Sequence, residues 1–240
     1  MPKILSVNVS LPKEIDFEGQ KVITGIFKEP IEGRKMLRTF NLDGDKQADL
    51  TVHGGPDKAV YAYPKEHYEF WHKVYPDIEM PNGMFGENFT IEGLMEAEVN
   101  VGDVFEIGSA KVIATQPRMP CYKLGVKFGR MDVLKKFLAS SRSGIYFKVL
   151  EEGEVGAGDP IIQTKKDPNR VGISDIVRLY ASDRENIKMM RRAIKVEALP
   201  DGWKDYFYEQ IRRVEKKLGQ RGTPMDGNTN WKEITTICMI

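Results

Sequence analysis

Val101-Gly102-Asp103-Val104-Phe105-Glu106-Ile107-Gly108-Ser109-Ala110-Lys111-Val112-Ile113-Ala114 carries the pattern that decides the fold. Two apolar, β-branched runs flank the two-residue turn Gly108-Ser109, the signature of a tight antiparallel hairpin. Outward from this hairpin the same chemistry recurs. Ile4 to Val9 alternates in character, and Lys21 to Phe27 is β-branched around Gly25. Gly144 to Leu150 reads as a further strand, and Ala157-Gly158-Asp159 leads into Pro160-Ile161-Ile162. Many short strands joined by glycine-rich turns favour a barrel or a sandwich. The fold class expected is mainly β with α.

Two helical patterns interrupt the strands. Pro64 suits a first helical position, and Tyr68, Trp71 and Tyr75 then share one face. Met131, Leu134 and Leu138 form a second stripe. Both helices are expected to cover or plug the β framework. After Asp167-Pro168-Asn169 the pattern changes. Ser174 is read as the cap of a helix carrying Ile176, Val177, Leu179 and Tyr180, and Asp183 as the cap of one carrying Ile187, Met190 and Ile194. A third helix follows Pro200-Asp201, with Trp203, Phe207, Ile211, Val214 and Leu218 in its stripe. Three short amphipathic helices make a small bundle, which could serve as packing or as a docking surface. The expected division is a β domain over 1–168, a three-helix domain over 169–218 and an unassigned tail over 219–240.

Composition narrows the function. Of 240 residues, 41% are hydrophobic and 30% charged, which supplies a sizeable core and argues against a disordered chain. Lys and Arg number 36 against 35 Asp and Glu, so no global field recruits nucleic acid or an anionic membrane. No apolar run approaches the ~20 residues of a membrane helix, and none near the start suits a signal peptide. Cys121 and Cys238 cannot build a disulfide framework. A cytoplasmic protein without nucleic-acid or membrane partners is the expectation.

Several signals fail on inspection. No G-x-G-x-x-G or Walker loop occurs. Asp43, Asp45, Gln47 and Asp49 imitate a calcium loop, but Ala48 replaces its glycine and Gly54 its closing glutamate. His67 and His72 stand about 140° apart around a helix, so they read as surface histidines and not as a zinc pair.

Three stretches concentrate costly residues. In Val52-His53-Gly54-Gly55-Pro56-Asp57-Lys58-Ala59-Val60, paired glycines allow close backbone approach to a ligand between a histidine and a lysine. A tight turn is the alternative. Phe85-Gly86-Glu87-Asn88-Phe89 offers a carboxylate and an amide to a heterocycle edge, or an Asx turn. Gln116-Pro117-Arg118-Met119-Pro120-Cys121-Tyr122-Lys123-Leu124 sets a cysteine between two cations and behind two prolines. Nearby positive charge favours a thiolate, the form that ligates metal or attacks.

These stretches, in this order and with the Val101-Gly102-Asp103 hairpin, resemble the MOSC family, named for the C-terminal domain of molybdenum-cofactor sulfurases. The resemblance is strongest to stand-alone bacterial YiiM-type members, which carry a three-helix appendage, and it covers nearly all of residues 1–218. It implies a MOSC-like β-barrel core with short covering helices, followed by a small three-helix bundle. It also implies binding of the molybdenum cofactor in its molybdopterin form, a pyranopterin dithiolene bearing a phosphate. Cys121 matches the cysteine that ligates molybdenum in related reductases. Lys58, Arg118 and Lys123 would offset the cofactor's charge, with Gly54 and Gly55 beside it. His53, Glu87 and Asn88 would supply donors and acceptors for the pterin, or a proton, with His53 catalytic beside Cys121.

The activity implied is reduction of N-hydroxylated compounds such as N-hydroxylated purine bases, a detoxification of base analogues. No flavin, nicotinamide or iron–sulfur motif is read in this chain, so electrons are expected from a separate flavoprotein or reductase. The alternatives are a sulfur carrier using a Cys121 persulfide, and a cofactor-binding module without turnover.

Overall fold

In the computed structural model, residues 1–48 and 54–220 are described. The N-terminal part runs β1 (Lys3–Val9), β2 (Lys13–Phe17), β3 (Gln20–Thr24), β4 (Glu29–Ile31), β5 (Lys35–Leu37) and β6 (Val60–Pro64). The middle runs α1 (Glu66–Val74), β7 (Phe89–Glu92), β8 (Val104–Ile107), β9 (Ala110–Pro117), α2 (Tyr122–Phe128) and α3 (Asp132–Ser140). Then follow β10 (Ile145–Glu151), β11 (Gly153–Val155), β12 (Ile161–Lys165), α4 (Ile173–Ala181), α5 (Ile187–Ile194) and α6 (Asp201–Gln220).

The predicted hairpin is β8–β9, with Ile107 opposite Ala110 across the turn. Gly108 holds a left-handed φ of 60°, and a Cβ there would stand 2.2 Å from the Glu154 carbonyl oxygen. Only glycine fits. The main sheet continues in the order β12-β8-β9-β10-β6-β7-β1, with β6 and β7 its parallel pair. It then closes on itself. The Ile4 amide donates to the Asp159 carbonyl (2.9 Å), Gly158 to Ile4 (2.8 Å) and Ile161 to Pro2 (2.8 Å), so the N-terminal half of β1 meets the approach to β12. The C-terminal half of the same edge pairs with β4 instead. These bonds cover part of the two edges that an open sheet would expose.

The fold is the expected mainly-β core with covering helices and a C-terminal three-helix bundle. The apolar stripes of α4 and α6 pack directly on the barrel. One continuous cluster joins Val7, Phe105 and Phe147 of the barrel to Ile176, Leu179, Trp203 and Phe207 of the helices. The indole N–H of Trp203 donates to the Gln116 side-chain oxygen at 2.9 Å, between buried partners. Nothing is described for residues 221–240, where most of the unassigned tail falls.

Local details differ from the sequence reading. Pro64 ends β6, where the Lys65 amide bonds the Ile91 carbonyl, and α1 starts two residues later. Its face is nevertheless the predicted one, with Tyr68 and Trp71 buried. On α3 the fully buried side chains are Val133 and Phe137, and Met131 is exposed. Asn186, not Asp183, caps α5 by accepting from the Met189 amide (3.0 Å). Ser174 lies inside α4; the Asp175 carboxylate accepts the Gly172 amide at its start (3.0 Å). His67 is buried and bonds Glu96 at 2.8 Å, because Glu96 also accepts the Gly144 amide and draws α1 against the barrel.

Because the helices and the barrel share a core, the chain should unfold in urea as one transition. Trp203→Ala should lower stability by about 3–5 kcal/mol across that whole transition. Two separated transitions, with only the later helical signal shifted, would show that the bundle unfolds alone.

Candidate functional site

A cavity of about 110 Å³ opens where the N-terminal strands meet α2. Its lining draws together Lys58, Asn88, Arg118, Cys121 and Lys123 from three separate stretches of sequence. Tyr61 and Tyr146 join them; these two stand opposite one another on β6 and β10, with ring centroids 4.9 Å apart. The remaining lining comes from Gly86 and Met119, from the stretch Thr24 to Lys28 and from Asp45 to Ala48.

Each predicted residue arrives there by identifiable local chemistry. β9 ends at Pro117, and Pro120 precedes an extended Cys121 (φ −119°, ψ 165°) that caps α2 without a side-chain capping bond. Cys121 is partly exposed to the cavity. Lys58 ends a short 3₁₀ turn, Pro56–Lys58, entered through Gly55 at φ 97°. That turn is fastened to β9 because the Thr115 hydroxyl donates to the Asp57 carbonyl (2.7 Å). Gly54 and Gly55 shape this approach but do not line the cavity. His53 lies outside the described residues.

Glu87 takes a different place from its neighbours. It is fully buried and faces the protein interior. Its carboxylate accepts the Tyr68 hydroxyl, the Thr90 hydroxyl (2.8 Å) and the Gly83 and Phe85 amides (2.9 Å each). It therefore builds the loop and does not line the cavity. Asn88, next in sequence, does line it; its amide donates to Asp45 (2.8 Å) and its oxygen accepts the Tyr61 amide (3.2 Å).

The electrostatics are one-sided. Arg118 is buried, yet no carboxylate pairs with it among the described residues. Its guanidinium donates to the Phe85 carbonyl and lies 5.2 Å from the centre of the Tyr61 ring and 5.8 Å from that of Phe137. Burial opposes its charge, but Tyr61, Tyr146 and Cys121 outweigh that and leave it more basic than usual. Burial drives the Tyr61 and Tyr146 phenols upward, so both stay protonated. Burial also lowers Lys58, against the pull of Asp57 and Cys121. Lys123 is mostly buried and makes no ion pair among the described residues. The cavity thus offers a thiol and concentrated positive charge, a setting for an anionic ligand with a soft partner atom.

Lys28 and Asp45 carry no motif, and sequence reasoning missed them. Lys28 pairs with Asp45 inside the cavity, where burial lowers the Lys28 ammonium despite the carboxylate. The only signal was the acidic run around Asp45, which had failed as a calcium loop.

Set beside known proteins, residues 49–162 match the MOSC domain. The chain belongs to the MOSC family, whose domain is associated with the molybdenum cofactor. Within it, residues 171–213 match the YiiM-like three-helix domain, which places the chain among the YiiM-like members. It is 38% identical to YflK of Bacillus subtilis over 211 residues, 88% of this chain and 95% of that protein. The crystal structure of YiiM from Geobacillus stearothermophilus is 32% identical, with a TM-score of 0.75 over 88% of this chain and 100% of that one. A protein of Gibberella moniliformis named "Reductase" is 24% identical, covering 82% of this chain and 36% of its own. Among the described residues no helix is long and apolar enough to cross a membrane.

One partly buried cation reports on the site's rigidity. Lys127 of α2 donates to the Ile26 carbonyl (3.2 Å) and the Gly83 carbonyl (2.9 Å), tying the Cys121 helix to the cavity lining at Ile26 and to the loop before β7. Burial lowers its pKa to about 8 from 10.5. The unfolded chain holds that proton more tightly, so Lys127 costs stability below the folded value, and the cost fades as pH rises between the two. The Tm of the wild type relative to Lys127→Met should therefore rise between about pH 8 and pH 10.5. A flat difference would mean that Lys127 is solvated in the folded protein.

Proposed function

We propose that this protein holds the molybdenum cofactor, in its molybdopterin form, in the Cys121 cavity and reduces N-hydroxylated compounds with electrons from a separate flavoprotein or reductase. The observation that carries this reading is the meeting of Cys121, Lys58, Arg118 and Lys123 around one cavity. A fungal relative named as a reductase adds support. The donor set suits the group. Among the described residues, no cluster of three or more His, Cys, Asp or Glu stands ready to hold a metal ion. A metal entering with dithiolene ligands of its own needs from the protein only a soft thiolate and counter-charge.

When bound, the cofactor would supply two-electron oxygen-transfer chemistry. The chain's own residues provide the rest. Cys121, on a stiff, extended backbone between Pro120 and α2, would hold the group through its sulfur. Arg118, permanently charged and fixed by Phe85 and the ring faces, anchors negative charge with little reorganisation. Lys58 and Lys123 extend that positive surface around the lining. Conversion of R–NH–OH to R–NH₂ and water consumes two electrons and two protons, and His53 remains a candidate source of one proton.

Protein expressed in a cofactor-producing host should contain molybdenum and show pterin fluorescence. Cys121→Ser should fold with unchanged Tm and lose N-hydroxylamine reduction; full activity in that variant would remove Cys121 from the mechanism. Lys58→Gln and Arg118→Gln should each lower molybdenum and pterin content together. Unchanged content in both would return these two side chains to a purely structural role. Cyanide-labile sulfur at Cys121 in metal-free protein would identify a sulfur carrier instead.

A further inference from the structure

The cations of the three-helix bundle are not spread evenly. On α6 several are matched: Arg213 lies 3.9 Å from Glu209, and Lys217 lies 2.5 Å from Glu185. α5 is different. Lys188, Arg191, Arg192 and Lys195 stand at positions i, i+3, i+4 and i+7, which share one side of a helix, and all four are exposed. With Pro168 and Asn169 they line an open groove between α5 and the segment that follows β12. Arg191 is matched by Glu215 (2.6 Å), whereas Lys188 and Lys195 make no ion pair among the described residues. Arg192 donates to the Asn169 carbonyl and to the Arg170 carbonyl (2.7 Å), so its guanidinium is fixed in place without a carboxylate.

The surroundings of this stripe narrow what it takes. The apolar side of α5 is spent inside the molecule: Met190 and Ala193 are fully buried, and among the described residues no large apolar side chain of α5 is exposed. The helix therefore has no face to sink into a lipid surface. Its eight residues span only about 12 Å. The whole chain carries a net charge of +1, so a nucleic acid, whose charge repeats along its length, finds little to follow. A compact acidic protein surface fits both the size and the sign. Contact through charge alone draws a partner in quickly and releases it, as a transient redox encounter requires. The groove is also tied to the Cys121 stretch. Successive turns, from the Leu199 amide to Val196 (3.2 Å) and from Trp203 to Pro200 (3.0 Å), lead from α5 to Trp203, which sits on Gln116, two residues before Arg118.

We propose that the α5 groove is the docking surface for the electron donor, an acidic flavin-containing protein whose carboxylates pair with Lys188, Arg192 and Lys195. This rests on the reductase reading above. Each turnover takes two electrons from reduced flavin, in one encounter or two, and the flavin leaves oxidised. Two protons accompany them, so that R–NH–OH becomes R–NH₂ and water. The groove and the Cys121 cavity share no lining residue, so donor and substrate do not compete for the same side chains.

The test uses the molybdenum-loaded full chain with phenylhydroxylamine as substrate. The probe donor is a flavodoxin, a small acidic FMN protein reduced photochemically, and reduced methyl viologen is the artificial dye. Lys188→Glu with Lys195→Glu should lower kcat/KM for flavodoxin about tenfold at about 20 mM salt, and the gap should close near about 0.5 M. Dye-driven turnover, Tm and molybdenum content should stay at the wild-type level. Lys188→Arg with Lys195→Arg, which keeps the charge, should behave as wild type. A carbodiimide, which joins an amine directly to a carboxylate, should cross-link flavodoxin through Lys188 or Lys195 without any turnover. Unchanged flavodoxin-driven reduction in the glutamate variant overturns the proposal, as do cross-links confined to other lysines. Equal loss with both donors overturns it too, since α5 would then support the fold or the cavity. So does an equal loss from Lys73→Glu with Lys135→Glu, exposed cations of α1 and α3, because net charge alone would then act. A DNA oligonucleotide that binds wild type but not the glutamate variant reassigns the groove to nucleic acid and overturns it as well. A cofactor-loaded wild type that works with the dye but not with flavodoxin overturns this inference alone; one that works with neither overturns the reductase reading beneath it.

Discussion

The buried carboxylate of Glu87 is the constraint around which the cavity is assembled. A fully buried charge is costly unless its acceptor sites are filled, and here they take two hydroxyls and two amides. Those donors belong to α1, to β7 and to the loop between them, so satisfying one side chain fixes three pieces of structure. Asn88 follows directly and passes the constraint on, holding the Tyr61 amide on one side and Asp45 on the other. The cavity is therefore an outgrowth of the barrel's hydrogen bonding, with its polar lining positioned before any ligand arrives.

Arg118 shows how that scaffold leaves charge available. A buried guanidinium usually finds a carboxylate. This one is held by a main-chain carbonyl and by aromatic faces. The stacked rings of Tyr63, Phe85, Trp71 and Phe137 beneath it give a stiff, weakly polar floor. Such surroundings keep the charge in place without cancelling it, which is what an anion-binding site requires.

Much of this was legible in the chain. The Gly108-Ser109 turn, the strand around Phe147 and the apolar stripe of α6 announced themselves through periodicity. The Cys121 stretch did so through two prolines and two cations packed into nine residues. Other parts were not legible, for physical reasons. β6 and β7 are buried on both faces, so their residues do not alternate and no period betrays them. His67 looked like a surface histidine because its partner, Glu96, lies 29 residues away. Glu87 carried the right chemistry for ligand binding, yet four protein donors claim it. Lys28 and Asp45 are ordinary residues in ordinary company, and only the folded chain brings them together.

Barrel closure has a consequence for how the chain is made. The strand that seals the cylinder is made before the segment it seals against, residues 158–161, which comes more than 150 residues later. At 5–20 residues per second, β1 leaves the ribosome roughly eight to thirty seconds before its partner exists. Until then, its backbone groups on that edge stay unpaired, and the apolar side of the strand stays partly uncovered. Those seconds of nascent chain are the interval in which a chaperone, or the edge of another unfinished copy, competes with the native pairing.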